Sequence, residues 1–412
     1  MHIAIASMEF VTEDTFGGGL ANYSANLARV LRNHGNRISV FVISSTDEQF
    51  EWEENITIYR VQYLKCLEKF STLKIELLKK MISSIWSFFG ASVLINRKIV
   101  SVHKKDRIDI VHFCSSGALS LFRRRRIPAV VRLSTFLPAV RKARMPQYEY
   151  DESDVNLFEK IQFIAIRKAD CIFAPSYNVA RLTEKRVNRK VEVIESPFYL
   201  ETMRTDESSF EDYLKEKPYF LFYGTLGYLK GVHTIAPILN KLFKTYPQYF
   251  FVFIGNNSKM LLENHEVEAI EYIRGNVSQQ YQDNIIYFPA LGNKEQLYSV
   301  IRHTEACVLP SRFDNLPNTC IESMALGQIV IGTNGASFEQ LIQDGYNGFL
   351  IERENSVQLY QKMIQVIKMS NDEKTIIRQR ARESVVRLNP DVIYEKIMKI
   401  YQKAIKEVQN KK

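Results

Sequence analysis

Two acids, Asp314 and Glu322, flank a segment whose spacing suits ligand chemistry: Pro310-Ser-Arg-Phe-Asp-Asn-Leu-Pro-Asn-Thr-Cys-Ile-Glu322, followed by Ser-Met-Ala-Leu-Gly327. A strand ending at Leu309 runs into a loop that carries Asp314. A helix then opens near Asn318 or Thr319, both good capping residues, and Gly327 stops it after about two turns. The first amides of such a helix have no partner within it and attract phosphate. Asp314 and Glu322 add carboxylates that bind hydroxyls, so the set suits a ligand carrying both phosphates and sugar hydroxyls. The plainer reading is a capped helix with Glu322 facing solvent. Against it, Glu322 falls among Cys320, Ile321, Met324 and Ala325, where a charge needs a partner.

Two further segments carry the same kind of chemistry. Phe222-Tyr-Gly-Thr-Leu-Gly-Tyr-Leu-Lys-Gly-Val232 leads from a strand into a glycine-bearing loop. There Lys230 can neutralise a diphosphate that gains charge as its bond to a sugar breaks; a solvated lysine is the simpler reading. Earlier, Gly17, Gly18 and Gly19 precede a helix and let backbone approach an anion at its N-terminus, or they form only a tight turn. They are not spaced as GxGxxG, and no acid ends the second strand, so a dinucleotide reading loses support.

These loops need a scaffold, and the hydrophobic pattern supplies one. Buried-strand runs at residues 3–6, 38–43, 108–113, 129–133 and 171–174 alternate with helical stretches, of which residues 21–33 are the clearest. The plan repeats at residues 219–223, 250–254, 285–288, 306–309 and 329–332. An acidic stretch with Pro197 near its start separates the halves. The reading is α/β, two Rossmann-like domains facing across a cleft. Residues 1–195 form a first Rossmann-like domain, 196–217 a linker and 218–390 a second Rossmann-like domain. Residues 391–412 form a final helix, with Ile393, Ile397, Ile400 and Ala404 at helical spacing, expected to pack back on the first domain. Ligands of such sheets bind beyond the carboxyl ends of the strands.

Length and composition agree with this. The 412 residues exceed what one core usually supports. With 46% hydrophobic and 25% charged residues the chain is globular, neither disordered nor collagen-like. A formal net charge of +9 suits an anionic partner. The basic residues are dispersed apart from Arg123–Arg126, and no nucleic-acid-binding fold is visible. Cys66, Cys114, Cys171, Cys307 and Cys320 form no CxxC pair, as expected of reduced cysteines in a cytoplasmic protein. The first residues read as a strand rather than a signal peptide. The uncharged stretch 81–95 is too short to span a bilayer.

The arrangement Asp314-x7-Glu322, with Pro310-Ser311 before it and Ser323-Met-Ala-x-Gly327 after it, resembles the Glu-x7-Glu signature of glycosyltransferase family 4. The Gly18-Gly19 loop, Lys230-Gly231, Ala169-Asp170 with Pro175-Ser176, and Asp344-Gly345-x-Asn347-Gly348 are similar to family features and occur in the expected order along nearly the whole chain. The resemblance implies a GT-B fold, with residues 1–195 as the acceptor domain and 218–390 as the nucleotide-sugar donor domain, and a retaining transfer from a nucleotide-diphosphate sugar with no metal or other cofactor. Lys230 would contact the diphosphate, Glu322 the ribose and Asp314 the transferred sugar. Amides around Leu316, Pro317, Asn318 and Thr319 would hold the phosphates, and Gly18 and Gly19 would touch the donor from the other domain. A glycan or lipid-linked acceptor in bacterial polysaccharide or glycolipid synthesis is the implied context.

Departures from the pattern concern the same site. Asp314 replaces the usual first Glu. Thr225 stands where the family has an arginine partner to the lysine. Ser134 takes the place of a histidine near the reacting sugar, and Arg132 is a candidate to replace some of the missing charge on the acceptor or sugar side. A nucleotide-sugar epimerase of the same fold and a catalytically silent nucleotide-sugar binder are the rival readings. Residues 63–105, with Leu64, Leu67, Phe70 and Leu73 on one side, and the Arg123–Arg126 cluster are expected to rest peripherally on the anionic inner face of a membrane; a solvated loop and packed helices are the alternative.

Overall fold

A computed structural model of the chain describes residues 1–13, 18–63, 76–147, 155–199, 214, 217–262, 265–289, 291 and 293–411. The helical side proposed for Leu64, Leu67, Phe70 and Leu73, the residue Cys66 and most of the linker lie outside them. In chain order the elements begin β1 (His2–Ser7), α1 (Gly19–Asn33), β2 (Arg37–Ser44), β3 (Gln49–Glu53), β4 (Ile56–Gln62), α2 (Glu76–Lys105), β5 (Ile110–Cys114), β6 (Ala129–Arg132), α3 (Leu137–Ala143), α4 (Leu157–Arg167), β7 (Cys171–Ala174), α5 (Tyr177–Val187) and β8 (Glu192–Val193). They continue with β9 (Tyr219–Tyr223), α6 (Val232–Thr245), β10 (Phe250–Ile254), β11 (Lys259–Leu262), β12 (His265–Glu268), α7 (Ala269–Gly275), β13 (Ile285–Phe288), α8 (Lys294–His303), β14 (Ala306–Leu309), α9 (Asn318–Ala325), β15 (Val330–Thr333), β16 (Phe349–Ile351), α10 (Ser356–Lys368), α11 (Asn371–Val385) and α12 (Pro390–Gln409).

The chain divides into two compact units. The first comprises Met1–Phe136, Glu152–Phe198 and Pro390–Lys412. Its sheet has the order β3-β4-β2-β1-β5-β6-β7-β8, parallel except for the β3–β4 hairpin. The central strands β1, β5, β6 and β7 are buried along their whole length, which is why they are near-continuous apolar runs. The last helix, α12, belongs to this unit: Ile393, Ile397, Ile400, Tyr401 and Ala404 share one core with Ile3, Ile5, Leu27 and Val40. Burying each isoleucine contributes about 2 kcal/mol. The Tyr401 hydroxyl lies 2.8 Å from Nδ1 of His112, whose pKa burial pushes down to about 3, so the imidazole is neutral.

The second unit comprises Leu137–Asp151 and Tyr199–Asn389. Its sheet, β13-β10-β9-β14-β15-β16, is wholly parallel, and β11 and β12 form a separate antiparallel pair. The strand order reverses between β9 and β14, a topological switch point. In open α/β sheets that is where ligands bind, outside the carboxyl ends of the strands. The loops carrying Lys230 and Asp314 are the ones that leave β9 and β14.

The structure corrects two details of the sequence reading. Residues 137–147 cluster with the second unit, because carbonyls of Ala143, Met145 and Pro146 accept from the Arg312 guanidinium. The hairpin β3–β4, absent from the strands read off the sequence, turns through Asn55 at φ 62. Cys114, Cys171, Cys307 and Cys320 are free and buried. Among the described residues no helix is long and apolar enough to cross a membrane.

Candidate functional site

The site in the second unit is set by backbone before side chains enter. After β9 the chain passes Gly224 and Thr225, and the Leu226 amide donates to the Asn256 carbonyl at 2.8 Å. A single 3-10 turn, Tyr228–Lys230, then leads to Gly231, which holds φ 81. A Cβ there would lie 1.8 Å from the Pro310 carbonyl oxygen, so only glycine lets the two loops touch. The Arg312 amide donates to the Leu229 carbonyl at 2.9 Å and closes the contact.

Lys230 is thereby brought to the loop after β14, and its Nζ donates to Oδ2 of Asp314 at 2.5 Å. The other oxygen, Oδ1, accepts from the Asn315 amide at 2.9 Å. The Asp314 carbonyl accepts from the Ser337 hydroxyl at 3.0 Å. Ser337 itself sits in the left-handed region at φ 69. The sequence brings Lys230 and Asp314 to one site, but their direct pairing was not anticipated.

Arg312 was also missed. It is fully buried, donates to Glu354 and to the carbonyls of Met145 and Pro146, and lies 4.9 Å over the Tyr228 ring. Its own carbonyl accepts from Arg353 at 2.8 Å. A charge in the middle of a motif was the available signal, but its partners lie far away in sequence. Arg312 is thus a brace for the loop that presents Asp314.

The helix α9 begins at Asn318, with Pro317 as its N-cap and no side-chain cap. This corrects the expectation that Asn318 or Thr319 would cap it: the helix starts one residue early, so Asn318 already lies in the first turn. Cys320 and Ile321 amides return to the Pro317 carbonyl, whereas the Asn318 and Thr319 amides have no partner among the described residues. The helix start is fixed from below by the Tyr223 hydroxyl, which donates to the Thr319 carbonyl at 2.5 Å and lies 2.9 Å from Ser323 Oγ.

One turn after Asn318, Glu322 is half-buried and its carboxylate makes no hydrogen bond among the described residues. The partner expected for its charge is missing. Burial instead pushes its pKa from 4.5 up to about 7, against the opposing pull of the Lys294 ammonium. Thr225 is exposed and Leu316 is buried under the loop.

The first unit holds the remaining candidates. Gly18 is the N-cap of α1 at φ 102, and a Cβ on Gly18 or Gly19 would meet nothing within 4 Å among the described residues. Arg132 ends β6, is buried, and lies 3.5 Å over the Tyr23 ring with one nitrogen donating to Ser196 Oγ at 2.9 Å. Its Nε is buried with no hydrogen-bond partner among the described residues. The Ser134 amide donates to Ser115 Oγ at 2.9 Å. Other motif residues have structural work. Ser176 caps α5 through the Val179 amide, Asp170 pairs with Arg123 at 2.8 Å, and Asn347 ties the Leu341 carbonyl to Ser384.

Comparison with known proteins decides the family. Residues 204–384 match the sequence model described as Glycosyl transferases group 1, and residues 17–201 match Glycosyltransferase Family 4. The chain belongs to the group 1, family 4 glycosyltransferases. This glycosyltransferase is 22% identical over 74% of its length to 82% of a Klebsiella pneumoniae protein described as "Uncharacterized 41.2 kDa protein in cps region". Among solved structures, sucrose-phosphate synthase from Thermosynechococcus elongatus superposes with a TM-score of 0.73 at 16% identity, covering 97% of this chain and 98% of that one. HepE from Anabaena, in complex with UDP and glucose, gives 0.66 at 14% identity over 98% and 99%. These likenesses establish the GT-B fold. Among the described residues no group of three or more His, Cys, Asp or Glu side chains could hold a metal ion.

Proposed function

We propose that the second unit binds a nucleoside-diphosphate sugar and that the enzyme transfers the sugar, with retention at the anomeric carbon and no metal, to a glycan or lipid-linked acceptor. The observation that carries the reading is the set of groups gathered at the β9–β14 switch point. They are the unpartnered Asn318 and Thr319 amides, the Lys230 ammonium and the unbonded Glu322 carboxylate. Amides and ammonium suit the diphosphate, which gains charge as the anomeric C–O bond breaks. The Glu322 carboxylate suits a pair of ribose hydroxyls, whose donors would satisfy it. In the transfer the acceptor oxygen forms the new bond to the anomeric carbon, and its proton leaves with the nucleoside diphosphate. Gly18 and Gly19 of the first unit are assigned to the donor, Arg132 and Ser134 to the acceptor or sugar side. The UDP in the HepE complex supports a diphosphate ligand, and the cps region of the Klebsiella relative supports polysaccharide synthesis.

A panel of nucleoside diphosphates and their sugars, screened by thermal shift with and without EDTA, tests this, because a ligand of the native state raises the melting point. One base is expected to stabilise the protein, EDTA to change nothing, and Glu322→Ala to flatten the response. An undiminished shift in Glu322→Ala removes the ribose assignment.

A further inference from the structure

A basic surface of the first unit lies at the end of its sheet where the strands begin, opposite the end that carries the Gly18–Gly19 loop. A cavity of about 1250 Å³ opens there, lined among others by Arg125, Arg126, Ile164, Arg167, Lys168 and Lys411. Its one acid, Asp170, is already spent: it pairs with buried Arg123 at 2.8 Å and accepts from the Ala129 amide at 2.9 Å. Arg125, Arg126 and Lys411 are exposed and have no acidic partner among the described residues. Among the described residues Arg167 and Lys168 bond only to backbone carbonyls, so no acid there offsets their charges.

Large apolar side chains stand beside these cations. Phe122 is 46% exposed, with the Lys168 ammonium 5.7 Å from its ring centroid. On α4, Leu157 and Ile164 are 57% and 48% exposed. Seven residues apart, they share one face of the helix, and Lys160, Arg167 and Lys168 are exposed on the same helix or at its end. A polyphosphate or nucleic-acid strand would use the charges and leave the apolar tips in water. A membrane of anionic lipid uses both, because headgroups take the cations while the tips enter the acyl boundary. We propose that this face, Phe122, Leu157 and Ile164 among Arg125, Arg126, Arg167 and Lys168, docks the enzyme peripherally on an anionic lipid surface.

The test is flotation of the full chain with vesicles of phosphatidylcholine alone or with about one-third phosphatidylglycerol, since anionic lipid supplies the attraction. The protein is expected to float only with the anionic vesicles and to be released by salt. Arg125→Glu/Arg126→Glu is expected to cut partitioning by about tenfold or more. Leu157→Asp/Ile164→Asp is expected to cut it as well, and Lys241→Glu/Lys244→Glu in the second unit to leave it unchanged; circular dichroism verifies that each variant is folded. Absence of flotation overturns the proposal. So does flotation that needs the arginines but survives Leu157→Asp/Ile164→Asp, which would mark a site for soluble polyanions, or an equal loss in the second-unit control.

Discussion

Replacing Glu322 by glutamine separates burial from ligand chemistry at the candidate site. The carboxyl titrates at about 7 instead of 4.5 because it is desolvated and unbonded. At about 1.4 kcal/mol for each factor of ten in proton affinity, the ionised form costs the fold about 3 kcal/mol, or about 2–3 after allowing for its partial exposure. The sign follows from the raised folded-state pKa. The stabilising proton is fully held below 4.5 and lost as pH rises through about 7. Glu322→Gln keeps the shape and removes the charge. Urea unfolding at about pH 4 and about pH 8.5 is therefore expected to give near-equal stabilities at the lower pH and a variant more stable by about 2–3 kcal/mol at the higher. If the gap between the two proteins stays constant across that range, the carboxylate is not desolvated and the reasoning fails. Nucleotide binding should report the same group from the other side. Ribose hydroxyls favour the ionised carboxylate, so wild-type affinity is expected to rise with pH up to about 7, whereas the variant stays flat.

Other positions give equally direct outcomes. Lys230→Met, which removes one charge-assisted contact to phosphate worth about 1.5–3 kcal/mol, should weaken nucleoside diphosphate binding about ten- to a hundredfold by calorimetry. Adding Asp314→Asn, which relieves the stranded carboxylate, should restore stability without restoring affinity. Gly231→Ala meets both a positive φ and the Pro310 carbonyl at 1.8 Å, and should lose more than the about 1–2 kcal/mol that left-handed backbone alone costs an alanine. Gly345→Ala, at φ +74 with nothing within 4 Å, is the control that should lose only that amount.

What could be read from the sequence follows burial. Strands such as β5, β9 and β14 are enclosed on both faces, so their apolar runs announce them. The edge strand β3, Gln49–Glu53, has no buried residue and gives no such run. At the candidate site, the placement of Lys230, Asp314 and Glu322 on the loops after β9 and β14 and on α9 was legible, because glycines and a helix start mark those strand ends. Their states were not. Whether Glu322 finds a partner depends on which side chains the folded loops bring near it. Whether Arg312 is solvated or buried depends on carbonyls at residues 143–146 and the carboxylate of Glu354, distant along the chain. The cap of α9 went wrong by one residue because asparagine and threonine signal a helix start without fixing which of its first positions they occupy.

The departure from the family pattern at Asp314 acquires a physical sense from this geometry. Both of its oxygens are committed, one to Lys230 and one to the Asn315 amide, and Ser337 holds its carbonyl. The carboxylate is therefore fixed to its own loop and cannot follow the lysine. Ordering a lysine side chain costs about 1.5–2 kcal/mol, and the pair meets that cost before any ligand arrives. In the proposed donor complex a diphosphate would carry more charge than one carboxylate and would also meet the Asn318 and Thr319 amides, so it would share or take the ammonium from Asp314 with little further loss of side-chain freedom. A shorter acid at this position favours holding the lysine over reaching a sugar hydroxyl, and Gly231, which alone permits the Pro310 contact, keeps the two loops close enough for that hold.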